Sequence, residues 1–490
     1  METILLPVDK PFRSQVASAR AFTAVYQRRR WANAAALASV ETVALAVSLL
    51  AAGWLRQLVT GEVGMRLGPA WSVVPLYLAV ASAARLLPGW GLGAVEELRR
   101  IVLVLLSVFA LAAVGMWLAH TNSSADNVSS RLALGLAGVV SVVLVPLART
   151  KMKAALIRQD RWGVGAVVYG AGPAGARIVR QLHEERGIGY TPVAVFDDDP
   201  ARWGDFLDVV EIVGGTDRIA PEASVAFLAL PEAEREHQVA LLEGPLACYR
   251  TVVVIPDLFE APSLWVRPRD FAGVLGLELT STLTRRTPRT VKRAIDLLAV
   301  IAAAPVWLPL VGLAALAVYM GDRTSPFYAQ ERIGEGGRPF RTRKLRTMVP
   351  DAEAVLARAL DADPALRDEW DTTFKLARDP RITRVGAFLR RTSLDELPQL
   401  FDVLQGTMSL VGPRPLPRYH HEDLPERVRS LRERVRPGIT GLWQVSGRSD
   451  AGNVGMERWD PYYVRNWSLW LDVVILVRTV QVVFKGSGAY

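Results

Sequence analysis

Two adjacent carboxylates, Asp395 and Glu396, are the residues of this 490-residue chain whose type and setting point most clearly to chemistry. Arg391 precedes them, Arg414 follows them, and a strongly basic segment, residues 338–346, lies upstream. A carboxylate beside clustered cations can act as a nucleophile or hold a metal ion when the substrate is a polyanion. The sequence therefore predicts a site for phosphorylated substrates in this region.

A purely structural interpretation of the same stretch is also open. Ser393 and Glu396 have the spacing of a helix capping box, in which Glu396 would only satisfy a backbone N–H. Pro398 fits best in the first turn of a helix, which favours a helix start nearer residue 396 and weakens that interpretation. Successive helical residues diverge by about 100°, so the two carboxylates are expected to point in different directions.

A glycine turn and a basic strand are predicted over residues 334–346. Alternation along the strand places Lys344 and Arg346 on one face, where both could contact one diphosphate. The alternative is a solvated basic strand that binds no ligand.

The elements that must position these residues begin with a membrane block. Four apolar stretches, at about residues 33–55, 71–87, 101–119 and 131–148, are each near the length that crosses ~30 Å of hydrocarbon. Arginines and lysines flank the block, whereas the loop 120–130 has no lysine or arginine, so the positive-inside rule places both ends in the cytoplasm. We expect a cytoplasmic segment at 1–32 and a four-helix transmembrane bundle at 33–150, with Glu41 at the membrane interface.

Residues 163–262 are predicted to form a Rossmann-like α/β domain with a small parallel sheet. A strand at 164–169 leads into Gly170, Gly172 and Gly175, and a second strand ends at Asp197. These residues match the dinucleotide-binding fingerprint, with glycines for close phosphate approach and an acid for a ribose hydroxyl. The fingerprint leaves open whether this domain binds a nucleotide. Without a Tyr-x-x-x-Lys pair in this region, we expect a structural, oligomerising or regulatory role, and a homodimer is one such outcome.

Residues 263–290 are interpreted as a linker, and the following stretch, 294–320, is apolar apart from Asp296. A crossing here would place the basic strand outside, against the positive-inside rule. Pro305 and Pro309 can bend a helix. We therefore expect a re-entrant helix, followed by a mixed α+β monotopic catalytic domain that completes residues 291–490. A true crossing is the alternative. The aromatic-rich segment 459–472 fits either the membrane interface or a buried core.

Several motifs, taken in order, resemble the signature of the bacterial polyprenyl-phosphate hexose-1-phosphate transferases, the membrane enzymes that begin O-antigen, capsule and exopolysaccharide synthesis. The upstream layout resembles the large galactose or glucose transferases of that family. The matching positions are Lys292, Arg293 and Asp296, then Gln330, Arg332, Gly334, Gly337, Phe340, Lys344 and Arg346, then the carboxylate stretch, and then residues 436–448.

The resemblance implies a membrane α plus α/β fold with a helix–break–helix at Ala304-Pro305. It implies that Asp395 is the nucleophile and that Glu396 holds Mg²⁺. Asp395 would attack a UDP-sugar and release UMP, and undecaprenyl phosphate would then take the sugar phosphate from the aspartyl intermediate. Lys344 and Arg346 are further candidates for the catalytic group. The candidates for substrate contacts are Arg391, Arg414, Gln444 and Arg448.

Composition is compatible with this function and narrows its setting. The chain is 50% hydrophobic yet 22% charged, as expected when apolar blocks join polar domains. With apolar spans present, the net charge of +9 favours inner-membrane lipid and phosphorylated substrates over nucleic acid. The single cysteine, Cys248, excludes an intramolecular disulfide. The expected location is the bacterial inner membrane, with a cytoplasmic catalytic domain. The rival functions are a Rossmann-dependent nucleotide-sugar oxidoreductase or epimerase and a non-catalytic membrane scaffold.

Overall fold

A computed structural model describes residues 6–7, 12–60, 69–119, 126–255, 266–271, 274–279, 286–373, 376, 379–446 and 452–485. The chain forms two compact units, Met1–Phe259 and Glu260–Tyr490.

The first unit begins with four helices, α1 (Phe12–Thr60), α2 (Val73–Ala83), α3 (Ala94–Ala119) and α4 (Asp126–Arg158). Within α1, α3 and α4, the spans Tyr26–Leu58, Ala94–Trp117 and Leu132–Arg158 are long and apolar enough to cross a membrane. The predicted second transmembrane helix is wrong in length, because α2 has only 11 residues. At 1.5 Å per residue it covers about half of the hydrocarbon thickness. Arg85 in a left-handed conformation and Pro88 follow its end.

A buried ionic network holds these helices together. Glu41 is 0% exposed, so it faces neighbouring helices, while its predicted depth at the membrane interface stays a prediction. Arg149 of α4 pairs with Glu41 and donates a hydrogen bond to Glu97 at 2.6 Å, and Tyr77 donates to Glu41 at 3.2 Å. A charge inside an apolar bundle is tolerated when a partner charge accompanies it. For Glu41 the partner charge is Arg149, which lies 108 residues away along the chain.

The same unit contains a six-stranded mixed sheet of order β4-β5-β3-β2-β7-β8. All neighbouring pairs are parallel except β4 with β5. The predicted α/β sheet is thus confirmed, and helices α5 (Pro173–Glu184) and α6 (Arg235–Glu243) accompany it. A separate short strand, β1 (Leu6–Pro7), pairs with β6 (Arg218–Ile219). The sheet strands are β2 (Val164–Tyr169), β3 (Tyr190–Phe196), β4 (Phe206–Leu207), β5 (Val210–Gly214), β7 (Ala223–Leu228) and β8 (Thr251–Val254).

The second unit starts with the antiparallel hairpin of β9 (Val266–Phe271) and β10 (Val274–Leu279), followed by the long helix α7 (Arg286–Asp322). Strands β11 (Phe327–Ile333) and β12 (Pro339–Leu345) form an antiparallel pair, and β13 (Ser409–Val411) pairs in parallel with β14 (Gly438–Thr440). The remaining helices are α8 (Ala352–Ala362), α9 (Pro364–Thr373), α10 (Arg384–Arg391), α11 (Gln399–Gln405), α12 (Arg418–Glu422), α13 (Glu426–Arg432), α14 (Leu442–Val445), α15 (Gly452–Asn466) and α16 (Leu469–Lys485).

Helix α7 continues across Pro305 and Pro309, so the expected interruption at Ala304-Pro305 is wrong. A proline removes one helical hydrogen bond, and that loss can bend a helix without ending it. One side of α7 packs on the rest of the unit along its length. Val300, Trp307 and Val311 contact a cluster that includes Val403 of α11, and Ala315 and Val318 contact a second that includes Leu345 of β12.

The aromatic-rich segment 459–472 contributes to the core of this unit. Tyr463 and Trp467 are 1% and 6% exposed, which confirms the buried-core alternative for both residues. Both donate hydrogen bonds to Asp472, which Lys292 also contacts at 2.7 Å. Because Lys292 lies at the start of α7 and Asp472 on α16, this buried cluster joins the two helices.

The glycine loop after β2 generates a prediction about stability. A Cβ at position 175 would lie 1.9 Å from the carbonyl oxygen of Gly170, whereas a Cβ at position 172 would meet open space. We expect Gly175→Ala to lower the free energy of unfolding by roughly 1–3 kcal/mol, as overpacking does, and Gly172→Ala to cost far less. Thermal unfolding of the full chain in detergent measures both, and equal melting temperatures for the two variants would contradict the packing described.

Candidate active site

The strand pair β11–β12 presents one face to the carboxylates. Lys344 lies directly opposite Tyr328, and Phe340 opposite Arg332. Directly opposed residues of an antiparallel pair share a face, so these side chains project on the same side of the ribbon. Gly336 and Gly337 in the connecting turn have φ values of 72° and 71°, a backbone region that glycine adopts without strain.

The two carboxylates lie on a tight turn rather than inside a regular helix. Ser393 has φ 56° and ψ 18°, and a single 3-10 turn, Leu394–Glu396, precedes Pro398 and α11. The Ser393 side chain forms no capping hydrogen bond, so the capping-box interpretation is wrong. Both Asp395 and Glu396 are half-buried on this turn, and the prediction that they point in different directions stays a prediction.

Glu396 is bound by two cations through one carboxylate oxygen. Lys344 Nζ donates to Glu396 Oε1 at 2.6 Å, and Arg414 Nη2 donates to the same atom at 3.2 Å. Burial opposes ionisation of Glu396, but Arg414 and Lys344 outweigh it and lower the pKa of this carboxyl to about 2. Glu396 is therefore ionised throughout the physiological range.

Asp395 differs from its neighbour, since no ion pair engages its carboxylate in the part of the chain that the structure describes. Burial and repulsion from Glu396 raise the pKa of Asp395, while Lys344 and Arg390 oppose the rise. An anionic oxygen that lies near cations and has none of them as a direct partner remains available to react. This contrast between adjacent carboxylates is the main chemical feature of the site.

A magnesium ion would find a limited but suitable donor set here. Groups of three or more potential metal ligands do not occur among the described residues. Mg²⁺ is commonly held by one or two carboxylates together with substrate phosphates and water. Both hydrogen bonds to Glu396 use Oε1, which leaves Oε2 for a metal ion, so the residues fit a cation that binds together with its phosphorylated substrate.

Arg346 is held differently from Lys344. Its guanidinium forms two hydrogen bonds of 2.6 Å to the carboxylate of Asp322, at the end of α7, and a third to the Ser325 carbonyl. Because Asp322 holds the Arg346 guanidinium, this geometry does not present Lys344 and Arg346 together to one diphosphate in the way that the sequence predicts. Arg346 ties the end of α7 to β12 because Asp322 provides a bidentate partner.

The three other predicted substrate contacts, Arg391, Gln444 and Arg448, lie in different parts of the second unit's sequence. Arg391 is exposed at the end of α10, and ion pairs to it are not found within the described ranges. Gln444 lies on α14, where its Nε2 donates to the Ile439 carbonyl at 3.4 Å while its buried Oε1 has no partner among the described residues. Arg448 lies outside the described residues.

Two further cations near the carboxylates are not among the residues predicted for the site. Arg332 lies within electrostatic range of Glu396 and Arg414, and Arg390 within range of Asp395. Arg332 is one of the positions that carry the family resemblance, although no role is assigned to it there, and alternation along β11 places it on the same face as Tyr328. No comparable pattern in the sequence singles out Arg390.

Buried ion pairs support the segments that carry the site. Arg432 pairs with Asp460, and its second nitrogen donates to the Arg414 carbonyl at 2.6 Å, which places the Arg414 backbone. Asp402 is 1% exposed and accepts hydrogen bonds from the backbone and side chain of Arg343. The contacts between Asp402 and Arg343 join α11 to β12, the elements that follow and precede the carboxylate turn in the chain.

The glycine loop of the first unit is closed by its own residues. One Asp197 oxygen accepts the Ala171 N–H at 2.7 Å, and the other accepts the Asp199 N–H at 3.1 Å. Gly170 adopts a φ of 106°, and Gly172 forms the N-terminal cap of α5. The predicted grouping of these glycines with Asp197 is present, but the carboxylate binds the loop backbone. It is thus a poor fit for a dinucleotide ribose, which would need an acid free to accept its hydroxyls.

Comparison with known proteins places this arrangement in a family. A family model described as bacterial sugar transferase matches residues 287–486. The UDP-galactose-lipid carrier transferase of Erwinia amylovora is 35% identical over 366 residues, covering 72% of this chain and 75% of that protein. The undecaprenyl-phosphate galactose phosphotransferase of Salmonella typhimurium is 35% identical over 362 residues, covering 71% and 74%.

A shorter relative matches a smaller part of the chain. The exopolysaccharide production protein ExoY of Sinorhizobium fredii is 44% identical over 206 residues, which cover 41% of this chain and 88% of that protein. The matched length is close to that of the family model, which contains Asp395, Glu396 and the cations around them. This chain therefore belongs to the bacterial sugar transferase family and is a phosphoglycosyl transferase, a membrane enzyme of the group that initiates exopolysaccharide synthesis.

Proposed function

We propose that this chain transfers a sugar-1-phosphate from a UDP-sugar to undecaprenyl phosphate, releasing UMP and giving an undecaprenyl-diphosphate-sugar. The observation that carries the proposal is the contrast between Glu396, bound by Lys344 and Arg414, and Asp395 beside it, which has no ion pair among the described residues. The names of the relatives, which include a UDP-sugar and undecaprenyl phosphate, support the two substrates. The Erwinia amylovora and Salmonella typhimurium relatives are galactose enzymes by name, and a donor screen would identify the sugar used here.

The reaction follows from Asp395 as a nucleophile. One Asp395 carboxylate oxygen attacks the sugar-proximal phosphorus, the bond from that phosphorus to the UMP oxygen breaks, and UMP leaves with the bonding electrons. The resulting aspartyl phosphosugar is then attacked by a phosphate oxygen of undecaprenyl phosphate, and the Asp395 carboxylate is regenerated. Each step exchanges one phosphorus–oxygen bond for another, so neither step requires net proton transfer or a redox partner.

The surrounding charges lower the barrier to this exchange. Lys344 and Arg414 stand beside the carboxylates, where they can offset charge on the transferring phosphoryl group. Mg²⁺, when bound, supplies additional positive charge for the phosphate oxygens. Glu396 is the residue that would hold it, through the oxygen that neither cation occupies. The pKa of about 2 keeps Glu396 anionic for that role.

Helix α7 supports a monotopic placement at the cytoplasmic face of the bacterial inner membrane. Near its start, Lys292 binds Asp472, and at its end Asp322 binds Arg346. Because both ends contact the same polar unit, a straight crossing would place part of that unit in hydrocarbon, where unpaired polar groups are costly. The opposite side of α7 is apolar and exposed, with Leu298, Val306 and Leu313 each at least 65% exposed. A re-entrant or in-plane helix satisfies both observations.

For the Rossmann-like sheet of the first unit we infer a structural or oligomerising role. Asp197 accepts one hydrogen bond from the glycine loop, at Ala171, and one from the backbone of Asp199, so a ribose would have to displace these contacts. Transfer chemistry on this chain therefore does not depend on a nucleotide bound there.

The nucleophile assignment generates the first prediction from this function. Replacing Asp395 with Asn removes the attacking anion, so UMP release from a UDP-sugar should fall by roughly 10³-fold or more. Release is measured with purified full-length protein in nanodiscs containing undecaprenyl phosphate. Asp361→Asn, which removes an exposed carboxylate on α8, is the matched control and should retain activity. Near wild-type release by Asp395→Asn would refute the assignment.

The pH dependence of the first step provides a second prediction. The pKa of Asp395 is raised, so the reactive anion is lost as pH falls through a value above the ordinary aspartate range. Lys344 opposes that rise, and Lys344→Met should therefore move the acid limb of the rate profile to higher pH while lowering the rate. Arg341→Met, on the opposite face of β12, should leave the limb in place. A limb that stays fixed in Lys344→Met would contradict the electrostatic coupling.

The placement of α7 provides a third prediction. In a Cys248→Ser background, single cysteines at Thr290 and Thr324 report on the two ends of the helix. Both should react with a membrane-impermeant maleimide in inside-out vesicles, and both should be protected in right-side-out vesicles. Labelling of the two positions from opposite sides would show that α7 crosses the membrane.

A further inference from the structure

Arg332 is a third cation on the face of β11–β12 that carries Lys344. It lies opposite Phe340 in the strand pairing, as Lys344 lies opposite Tyr328, so the two basic side chains project on the same side. They stand at different points along the ribbon, with one pair of residues, Gln330 and Thr342, between them. The site therefore extends along the strands beyond the contact between Lys344 and Glu396.

The charge of Arg332 has no dedicated counter-charge. Ion pairs from Arg332 to a carboxylate are not found within the described ranges, and its Nη2 donates to the neutral side-chain oxygen of Gln330 at 2.6 Å. Glu396 is within electrostatic range but is already hydrogen-bonded to Lys344 and Arg414. Burial and repulsion from Arg414 lower the pKa of Arg332, yet a guanidinium stays protonated in proteins. A half-buried cation in this situation is prepared to bind an anion.

Two aromatic side chains identify which anion suits this position. Tyr328 and Tyr419 both lie within electrostatic range of Arg332, and they are 52% and 64% exposed. Tyr328 lies on the same strand face as Arg332. An exposed aromatic ring on the face of a guanidinium suits a nucleoside diphosphate, whose base can stack on a ring while its phosphates accept charge-assisted hydrogen bonds. A polyprenyl phosphate has no planar ring to use such a surface.

We propose that Arg332 binds the diphosphate of the nucleotide-sugar donor, and that Gln330 positions its guanidinium. This inference rests on the proposed function, and it assigns Arg332 to the donor rather than to the lipid acceptor. Lys344 and Arg414 then serve the carboxylate turn, while Arg332 holds the phosphate that departs with the nucleoside.

The test compares Arg332→Met, Arg332→Lys and the matched control Arg341→Met in full-length protein in nanodiscs. Arg341 carries the same charge on the same strand pair but lies opposite Glu331, on the other face. For Arg332→Met we expect kcat/KM for UDP-galactose to fall about 10–100-fold, the range typical of a lost hydrogen bond to a charged group. The KM for undecaprenyl phosphate should change by less than about twofold. Arg332→Lys should recover part of the loss, and Arg341→Met should match the wild type.

Binding of UDP alone, measured by calorimetry, provides a readout that needs no turnover. Arg332→Met should weaken UDP binding by a similar factor, and Gln330→Met should weaken it less but in the same direction. Unchanged UDP affinity in a folded Arg332→Met protein would overturn the proposal, as would a rise in KM confined to undecaprenyl phosphate. If the wild type releases no UMP from any UDP-sugar, the proposed function fails, whereas the UDP affinities still decide the role of Arg332.

Discussion

A single oxygen of Glu396 accepts hydrogen bonds from Lys344 and Arg414, and the catalytic unit is arranged around that shared contact. It joins three separate segments: strand β12, the carboxylate turn and the loop after β13. Both cations are directed to Glu396. Within the described ranges, Asp395 therefore keeps a carboxylate without an ion pair, and the second oxygen of Glu396 has no hydrogen-bond partner. The carboxyl groups of Asp395 and Glu396, adjacent in sequence, thus acquire different properties from their surroundings.

The contact at Glu396 depends in turn on buried charges that hold its partners. Arg432, paired with Asp460, binds the Arg414 backbone, and Asp402 binds Arg343 next to Lys344. Buried ion pairs are weak evidence for stability, because desolvation offsets most of the attraction. Their consequence here is positional, since each pair restricts where a cation of the site can lie. Helix α7 joins the same framework at both ends while one apolar side remains exposed, which suits a catalytic surface at a membrane.

Much of the site could be predicted from the sequence because its determinants are local. The adjacent carboxylates, the proline that starts α11 and the alternation along β12 are visible within a few residues. The partners of individual charges could not be predicted in this way. Asp322 holds Arg346 from 24 residues away, and Glu41 is buried against an arginine 108 residues away. No periodicity encodes such pairs, so the sequence predicts neither the Asp322 partner of Arg346 nor the Arg149 partner of Glu41.

The fold shows the same division between local and distant determinants. Hydropathy predicts the long apolar helices and the buried strands β2 and β3, since each depends on composition within a short window. The length of α2 and the continuity of α7 depend on how the surrounding chain packs, which a window does not contain. Asp197 illustrates the point within a motif: the fingerprint predicts its position beside the glycines, whereas its hydrogen bonds to the loop backbone are visible only in the structure.

The most direct test of the central claim is mass spectrometry of the full-length protein after brief exposure to a UDP-sugar in the absence of undecaprenyl phosphate. Asp395 should carry one added hexose phosphate, located by peptide mapping, and the adduct should disappear when the lipid phosphate is supplied. Release of UMP with no covalent adduct at Asp395, or with the adduct on another residue, would contradict the proposed mechanism.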